Sequence, residues 1–189
     1  MEEMKKEDRR VRRTKKILTQ ALMQLMQEKQ VKEITVRELT DLADMNRGTF
    51  YLYYRDVYDM LEKLEDSMFE ALDSIAASHE TDAAHQDTKP ILLDLFGFIG
   101  ENREIVRVLL SPQGDMKFLH RLYDVIRERW LTAFPDSGIK ENEADQDYRF
   151  TFAIYGTAGL IRAWVNRGCT EPAVRMAELA DTLIRRGSL

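Results

Sequence analysis

Residues 47–53 carry side chains suited to contact with a nucleic acid. Arg47 can donate bidentately to a guanine edge, and Gly48 allows the backbone to approach a partner closely. The hydroxyls of Thr49, Tyr51 and Tyr53 can bind phosphate oxygens or pack on a thymine methyl group. A routine solvated helix would carry Glu, Lys and Gln at these positions. The set predicts a surface that enters a DNA groove; the alternative is a helical hairpin with an aromatic surface cluster.

Two short helices joined by a tight turn would position these side chains. Thr35 and Glu38 form a capping-box pattern at the start of the first helix. Asp44 stands where the chain must turn sharply and tolerates a left-handed conformation, and Asn46 can cap the second helix. Met45 fills the angle between the helices. The residues expected to face the core are Leu39, Leu42, Ala43, Phe50 and Tyr54.

Residues 35–55 resemble the DNA-binding domain of the TetR family of bacterial repressors. The family signature is close to Gly-Thr-hydrophobic-Tyr-x-His/Tyr-Phe/Tyr, and here it stands as Gly-Thr-Phe-Tyr-Leu-Tyr-Tyr over residues 48–54. The resemblance is strong over residues 9–75 and weaker over the helical remainder. It implies phosphate contacts from Thr and Tyr and base or backbone contacts from Arg. Together with the capping residues and the side chains suited to a DNA groove, the resemblance gives a set of DNA-binding candidates. They are Thr35, Arg37, Asn46, Arg47, Gly48, Thr49, Tyr51, Tyr53 and Arg55.

Three positions depart from the family pattern. Thr40 stands where the family usually has Ala, and Asp44 where it often has Gly. Val57 stands where the family commonly places a Lys that holds a phosphate. Arg55 is the candidate to replace that contact.

Charge is distributed unevenly along the chain. The net charge is −5, but residues 1–55 carry 13 Lys and Arg against 9 Asp and Glu, a net of +4, whereas the remainder carries 15 against 24, a net of −9. The basic part therefore contains the motif. A basic run at the start of the first helix can neutralise phosphates or enter a minor groove, although it can also be a merely soluble terminus. It comprises Arg9, Arg10, Arg12, Arg13, Lys15 and Lys16.

The fold class expected is all-α, because the four prolines fall between segments of helical periodicity and no alternating strand pattern is present. About nine helices are expected. A three-helix DNA-binding domain is expected over residues 1–55 and a ligand-sensing and dimerisation bundle over 79–189. A fourth helix over 56–78 connects the two. The further helices are predicted at 9–29, 91–100, 103–110, 115–134, 145–167 and 172–186.

The absence of an export signal or a long apolar run, together with a single cysteine, Cys169, indicates a cytoplasmic protein. An enzyme would need a catalytic constellation, and His79, His85 and His120 lack partners at metal-ligand or catalytic spacing. No cofactor, metal site or catalytic residue is therefore expected. The competing class is a helical adaptor or ligand-binding dimer with a vestigial helix-turn-helix.

Small residues recur every three or four positions in the last two predicted helices, which favours close helix packing. The TetR resemblance implies that these helices form a four-helix bundle with a second subunit, so that a homodimer presents two recognition helices to a palindromic operator. The alternative is packing within one chain. The interface candidates are Ala153, Gly156, Gly159, Leu160, Ala163, Ala173, Ala177, Ala180 and Ile184.

The resemblance also implies a small-molecule effector of unknown identity that enters the second domain and shifts the dimer away from its DNA-binding form. Large apolar and aromatic residues at helical spacing could line such a pocket, although they are equally consistent with an ordinary core. They are Phe96, Leu109, Met116, Leu119, Tyr123, Trp130, Phe152 and Tyr155.

Overall fold

A computed structural model describes residues 2–79, 88–110, 120–121, 123–124, 127 and 143–186. The described residues form eight α-helices and no strand, in agreement with the predicted all-α class. The helices are α1 (Glu2–Glu28), α2 (Val36–Leu42), α3 (Arg47–Tyr51), α4 (Val57–Ser78), α5 (Lys89–Glu101), α6 (Arg103–Leu109), α7 (Glu143–Asn166) and α8 (Ala173–Arg186). A single 3₁₀ turn, Val31–Glu33, links α1 to α2.

Most of the helix bounds agree with the predicted ones to within two residues. The exception is α1, which begins at Glu2 rather than at residue 9. Residues 2–8 contain Glu, Lys, Met and Asp without Gly or Pro, so nothing in them interrupts a helix. The predicted helix 115–134 lies mostly outside the described residues, although residues 120, 121, 123, 124 and 127 are helical. No described helix is both long enough and apolar enough to cross a membrane.

The chain divides into two compact units, one ending at Asp66 and the other beginning at Ser67. This division falls inside α4, whose start is capped by Asp56: the Asp59 N–H donates to the Asp56 carboxylate over 2.8 Å. The predicted domain borders at residues 55 and 79 bracket α4. Their assignment to a DNA-binding and a sensing domain stays a prediction.

The first unit has a core of large apolar side chains from all four of its helices. Fully buried members are Leu18, Leu22, Leu39, Phe50 and Met60. This core holds α2 and α3 against α1, because each helix supplies one apolar face.

The prediction that Leu42 is buried is wrong, because its side chain is 43% exposed. Thr40 is fully buried instead, and its hydroxyl donates within α2 to the Val36 carbonyl over 2.8 Å. Leu39, Thr40 and Ala43 share an arc of about 100° on the helix, and Leu42 falls outside it. A threonine hydroxyl that is hydrogen-bonded to its own helix can be buried at little cost.

The second unit has a core drawn from α5, α6, α7 and α8. Phe96 of α5 and Trp164 of α7 meet edge to face, with ring centroids 5.6 Å apart. The buried small residues of α8, Ala177 and Ala180, allow that helix to pack closely on α5. At one end of this contact the Thr88 hydroxyl donates to Asp181 over 2.6 Å.

The end of α7 is a Schellman motif, as the glycine predicted for the helix end requires. Gly168 has φ +80°, its N–H donates to the Val165 carbonyl over 2.9 Å, and the Cys169 N–H donates to the Trp164 carbonyl over 3.0 Å. The Trp164 indole then donates to the Glu171 carbonyl over 3.0 Å. These bonds fix the direction in which the chain enters α8.

Candidate nucleic-acid interface

The start of α2 is held by the capping box that the sequence predicts. The Glu38 N–H donates to the Thr35 hydroxyl oxygen over 3.2 Å, and the Thr35 N–H donates to the Glu38 carboxylate over 2.9 Å. Lys29 also donates to Glu38 over 2.5 Å. The Lys29 ammonium, followed by the Thr35 N–H, lowers the pKa of Glu38 from 4.5 to about 2. Glu38 therefore links the end of α1 to the start of α2 as a charged group.

The turn between α2 and α3 contains the left-handed residue that the sequence predicts. Asp44 has φ +51°, and the Met45 N–H reaches back to the Thr40 carbonyl over 2.9 Å. Asp is among the few non-glycine residues that adopt this conformation at modest cost. Asp44 therefore stands in place of the family pattern's Gly in a conformation that Asp tolerates.

The start of α3 is capped by Asn46, whose side-chain oxygen accepts from the Gly48 N–H over 2.7 Å. Phe50 is fully buried and Tyr54 nearly so, as expected for the inward stripe. Arg47, Gly48 and Tyr51 are exposed, whereas Thr49 and Tyr53 are half-buried. The first unit therefore presents an outward face of α3 that contains no acidic side chain.

The aromatic residues of the motif pack on one another rather than standing apart. Phe50 contacts Tyr51 and Tyr54, each at a centroid distance of 5.5 Å. Lys15 of α1 lies over the Tyr53 ring, with its ammonium 5.8 Å from the centroid. The basic run of α1 and the recognition segment, residues 47–54, are thus neighbours through Lys15.

The remaining DNA-binding candidates are on the surface of the same unit. Thr35 and Arg55 are exposed, and so is Arg37, whose Nε lies 3.6 Å from the Asp41 carboxylate. Val57, at the position of the family's Lys, is a buried core residue. The side chain at position 57 therefore offers no charged group to a phosphate.

A buried carboxylate just after α3 was not singled out from the sequence. The Asp59 side chain is 7% exposed and accepts from the Arg55 N–H over 3.0 Å, from Arg55 Nε over 3.2 Å and from Lys63 Nζ over 3.0 Å. These donors, the Arg55 N–H first, lower its pKa from 3.8 to about 2. The i, i+4 spacing of Arg55, Asp59 and Lys63 is the signal that could have revealed the cluster.

The dimer candidates of α7 lie on one exposed face. Gly156, Gly159 and Ala163 are exposed. They lie on the same face of α7 as the exposed rings of Tyr148 and Phe152. Ala153 and Leu160 are half-buried at its margin. The opposite face carries the buried side chains, so α7 is apolar on two sides.

The dimer candidates of α8 require a correction. Ala177 and Ala180 are buried inside the second unit and are covered by its own helices, so they present no surface to another chain. Ala173 and Ile184 are half-buried. Small residues at this spacing allow packing either within one chain or between two chains, and here α5 covers the face of α8 that carries them.

The structure does not gather the described pocket candidates around one cavity. Phe96 and Leu109 are core residues, whereas Phe152 and Tyr155 are 63% and 42% exposed, and a ligand pocket formed by some of these residues stays a prediction. Tyr123 is half-buried, stacks on Tyr155 at 5.8 Å and shares a 3.2 Å hydrogen bond with Thr151. Met116, Leu119 and Trp130 lie outside the described residues.

A capped helix-turn-helix followed by a long connecting helix and a second helical unit defines a class of regulatory DNA-binding fold. A family profile of the TetR transcriptional regulator C-terminal region matches residues 86–186, just over half of the chain. The chain therefore belongs to the TetR family of transcriptional regulators, as the sequence motif implied.

Individual relatives agree with this assignment. An uncharacterized HTH-type transcriptional regulator, YxbF of Bacillus subtilis strain 168, is 28% identical over 152 residues, which are 78% of this chain and 38% of that protein. The chain thus spans well under half the length of this curated relative.

Two solved structures are similar in fold. The fatty acid degradation regulator FadR from Bacillus halodurans has a TM-score of 0.68 at 15% identity, covering 90% of this chain and 94% of that one. The regulator FadR from Bacillus subtilis, in complex with stearoyl-CoA, has a TM-score of 0.65 at 17% identity, covering 89% and 96%.

Proposed function

We propose that this chain is a sequence-specific DNA-binding regulator, a repressor that binds a palindromic operator in the cytoplasm as a homodimer. The observation that carries the proposal is the exposed face of α3, where Arg47, Gly48 and Tyr51 project from a helix anchored by the buried Phe50. A guanidinium, a bare backbone and phenol hydroxyls are the groups that read base edges and hold phosphates.

Selection from sheared genomic DNA of the source organism tests this proposal. The purified protein is incubated with the DNA at about 0.15 M salt, and the retained fragments are sequenced. We expect a few palindromic sites that are lost in the Arg47→Ala, Tyr51→Ala double variant. Arg175→Ala removes an exposed guanidinium from the second unit and should retain those sites. Salt-insensitive binding or no enrichment would instead support an adaptor with a vestigial helix-turn-helix.

A second copy of the chain is the proposed partner of the exposed α7 face. Tyr148, Phe152, Gly156, Gly159 and Ala163 form an apolar stripe with small residues at its centre, which suits close contact with a symmetry-related helix. Ala177 and Ala180 are not part of this proposed interface, because they are covered within the chain. A two-fold axis through the stripe would pair the two recognition helices required by a palindrome.

A small molecule with a long apolar chain is the proposed effector, and stearoyl-CoA is the first candidate, because it is bound in one similar FadR structure. The described apolar residues Phe96 and Leu109 belong to the core of the second unit, the proposed sensing domain. Stearoyl-CoA should release the protein from a selected palindrome, whereas coenzyme A alone should not. Retention of the palindrome at saturating stearoyl-CoA would remove this candidate.

A further inference from the structure

The last turn of the recognition segment is tied to α4 through two side chains outside the helix-turn-helix. Lys63 Nζ donates to the Tyr53 carbonyl over 3.0 Å and to the Asp59 carboxylate over 3.0 Å. The Tyr53 carbonyl follows the end of α3, where helix carbonyls lack partners within the helix. Lys63 therefore satisfies an acceptor at the end of the DNA-reading segment with a charged donor.

Asp59 holds the neighbouring residue in the same way. Its carboxylate accepts from both the backbone N–H and Nε of Arg55, so both the main chain and the guanidinium of Arg55 are fixed. The Arg55 side chain is nevertheless 80% exposed. Within the described part of the chain, Arg55 donates to Asp59 through these two nitrogens, which leaves both Nη groups available to a ligand.

The charge and burial of this cluster favour an anion as that ligand. One buried carboxylate faces two exposed cations, so Arg55, Asp59 and Lys63 together carry one positive charge, and the neighbouring Asp56 carboxylate accepts from the Asp59 N–H. A planar guanidinium held at Nε presents its two Nη groups as a fork that fits phosphate oxygens. Fixing that fork in advance lowers the ordering cost of binding.

We propose that Asp59 and Lys63 are positioning residues for DNA binding, which hold Arg55 and Tyr53 in place for a backbone phosphate. The inference rests on the proposed DNA-binding function and extends it by two residues of α4. Neither residue touches DNA itself in this arrangement. Each acts through its partner, Asp59 through the Arg55 guanidinium and Lys63 through the Tyr53 main chain.

A double-mutant cycle between Arg55 and Asp59 tests the first half. Binding is measured by fluorescence anisotropy against a palindromic duplex from the genomic selection and a duplex of unrelated sequence, over about 50 to 200 mM salt. Arg55→Ala should weaken binding to both duplexes by about tenfold and reduce the salt slope by about one. Asp59→Asn should do the same, and the double variant should lose little more than either single variant. Glu62→Gln, an exposed charge change on the same helix, is the control.

A comparison at Lys63 tests the second half while Asp59 itself is kept. Lys63→Met should weaken binding to both duplexes, whereas Lys63→Arg, which keeps a charged donor, should restore it. Lys32→Met removes an exposed lysine elsewhere in the first unit and serves as the control. Thermal melting followed by circular dichroism checks that every variant is folded at the assay temperature.

The outcomes separate this inference from the proposed function. The role of Asp59 would be overturned if Asp59→Asn bound DNA with the affinity and salt slope of the wild type. It would also be overturned if the loss of binding free energy in the double variant equalled the sum of the losses in Asp59→Asn and Arg55→Ala. If Asp59→Asn fails to fold, equal binding by wild type and Lys63→Met would overturn the positioning role. Failure of the wild-type protein to bind either duplex would count against DNA binding itself.

Discussion

Arg47 is the residue from which base recognition is expected, because it is exposed at the first position of α3, a helix without acidic residues. Arg47→Ala should cost about 1–3 kcal/mol of binding free energy on the selected palindrome and relax specificity at one base pair, since a bidentate base contact is lost. Competition binding against single-base variants of the palindrome measures this. Equal weakening on every sequence would identify a phosphate contact instead.

Substitution by alanine should change the free energy of unfolding in opposite directions at Gly168 and at Gly97. Gly168 has φ +80° and open space around its Cβ position, so Gly168→Ala should lower the free energy of unfolding by about 1 kcal/mol through backbone strain alone. Gly97 lies inside α5 with equally open space, so Gly97→Ala should raise the free energy of unfolding by up to about 1 kcal/mol. Urea denaturation compares them; destabilisation of similar size in both would refute the strain argument.

Structural roles of single residues were predicted where their interactions are local in the sequence. The capping box of Thr35, the left-handed Asp44 and the cap at Asn46 were predicted from sequence, because each depends on atoms within a few residues along the chain. The burial of Thr40 in place of Leu42 was not predicted. It depends on the rotation of α2 about its axis, which the packing against α1 sets.

At the scale of elements, α7 is apolar on two faces, one covered by its own unit and one exposed. Gly156→Leu places a bulky side chain at the centre of the exposed stripe, where no atom lies within 4 Å of the Cβ position in the single chain. The variant should therefore remain helical but shift towards monomer on size-exclusion chromatography with light scattering.

A matched variant distinguishes interface disruption from a general effect of added apolar surface. Gln24→Leu adds the same side chain at an exposed position of α1 and should leave the association state unchanged. A Gly156→Leu protein that elutes as a dimer would place the interface elsewhere. A wild-type monomer at all concentrations would remove the proposed homodimer.

On the scale of the whole molecule, two acidic groups of the first unit make folding sensitive to acid. The pKa values of Glu38 and Asp59 are lowered to about 2 in the folded chain, from 4.5 and 3.8. A depressed pKa contributes stability that is present above the unfolded value and is lost as the pH falls through the folded value. The free energy of unfolding should therefore decline between about pH 4.5 and pH 2.

Glu38→Gln isolates one part of this decline, because glutamine keeps the capping-box hydrogen bond but cannot ionise. Its free energy of unfolding should be lower than that of wild type at pH 6, and the difference should narrow towards pH 2. Urea denaturation at several pH values measures it, with Glu62→Gln as the exposed control. Parallel pH profiles for wild type and Glu38→Gln would contradict the assigned pKa shift.

The sequence by itself determined the helix class, most helix bounds and the outward face of α3. These features follow from periodicity, capping residues and turn residues, whose interactions are local. The motif over residues 48–54 also identified the family, which the profile match to residues 86–186 confirms.

Only the tertiary structure decided which face of each helix is covered and which charges become buried. Ala177 and Ala180 have the same spacing as Gly156 and Gly159, yet the first pair packs on α5 and the second is exposed. The spacing of Arg55, Asp59 and Lys63 is visible in the sequence, but the burial of Asp59 and the contact of Lys63 with the Tyr53 carbonyl are seen only in the structure. Helical spacing defines a face, but the neighbour that covers that face comes from distant parts of the chain.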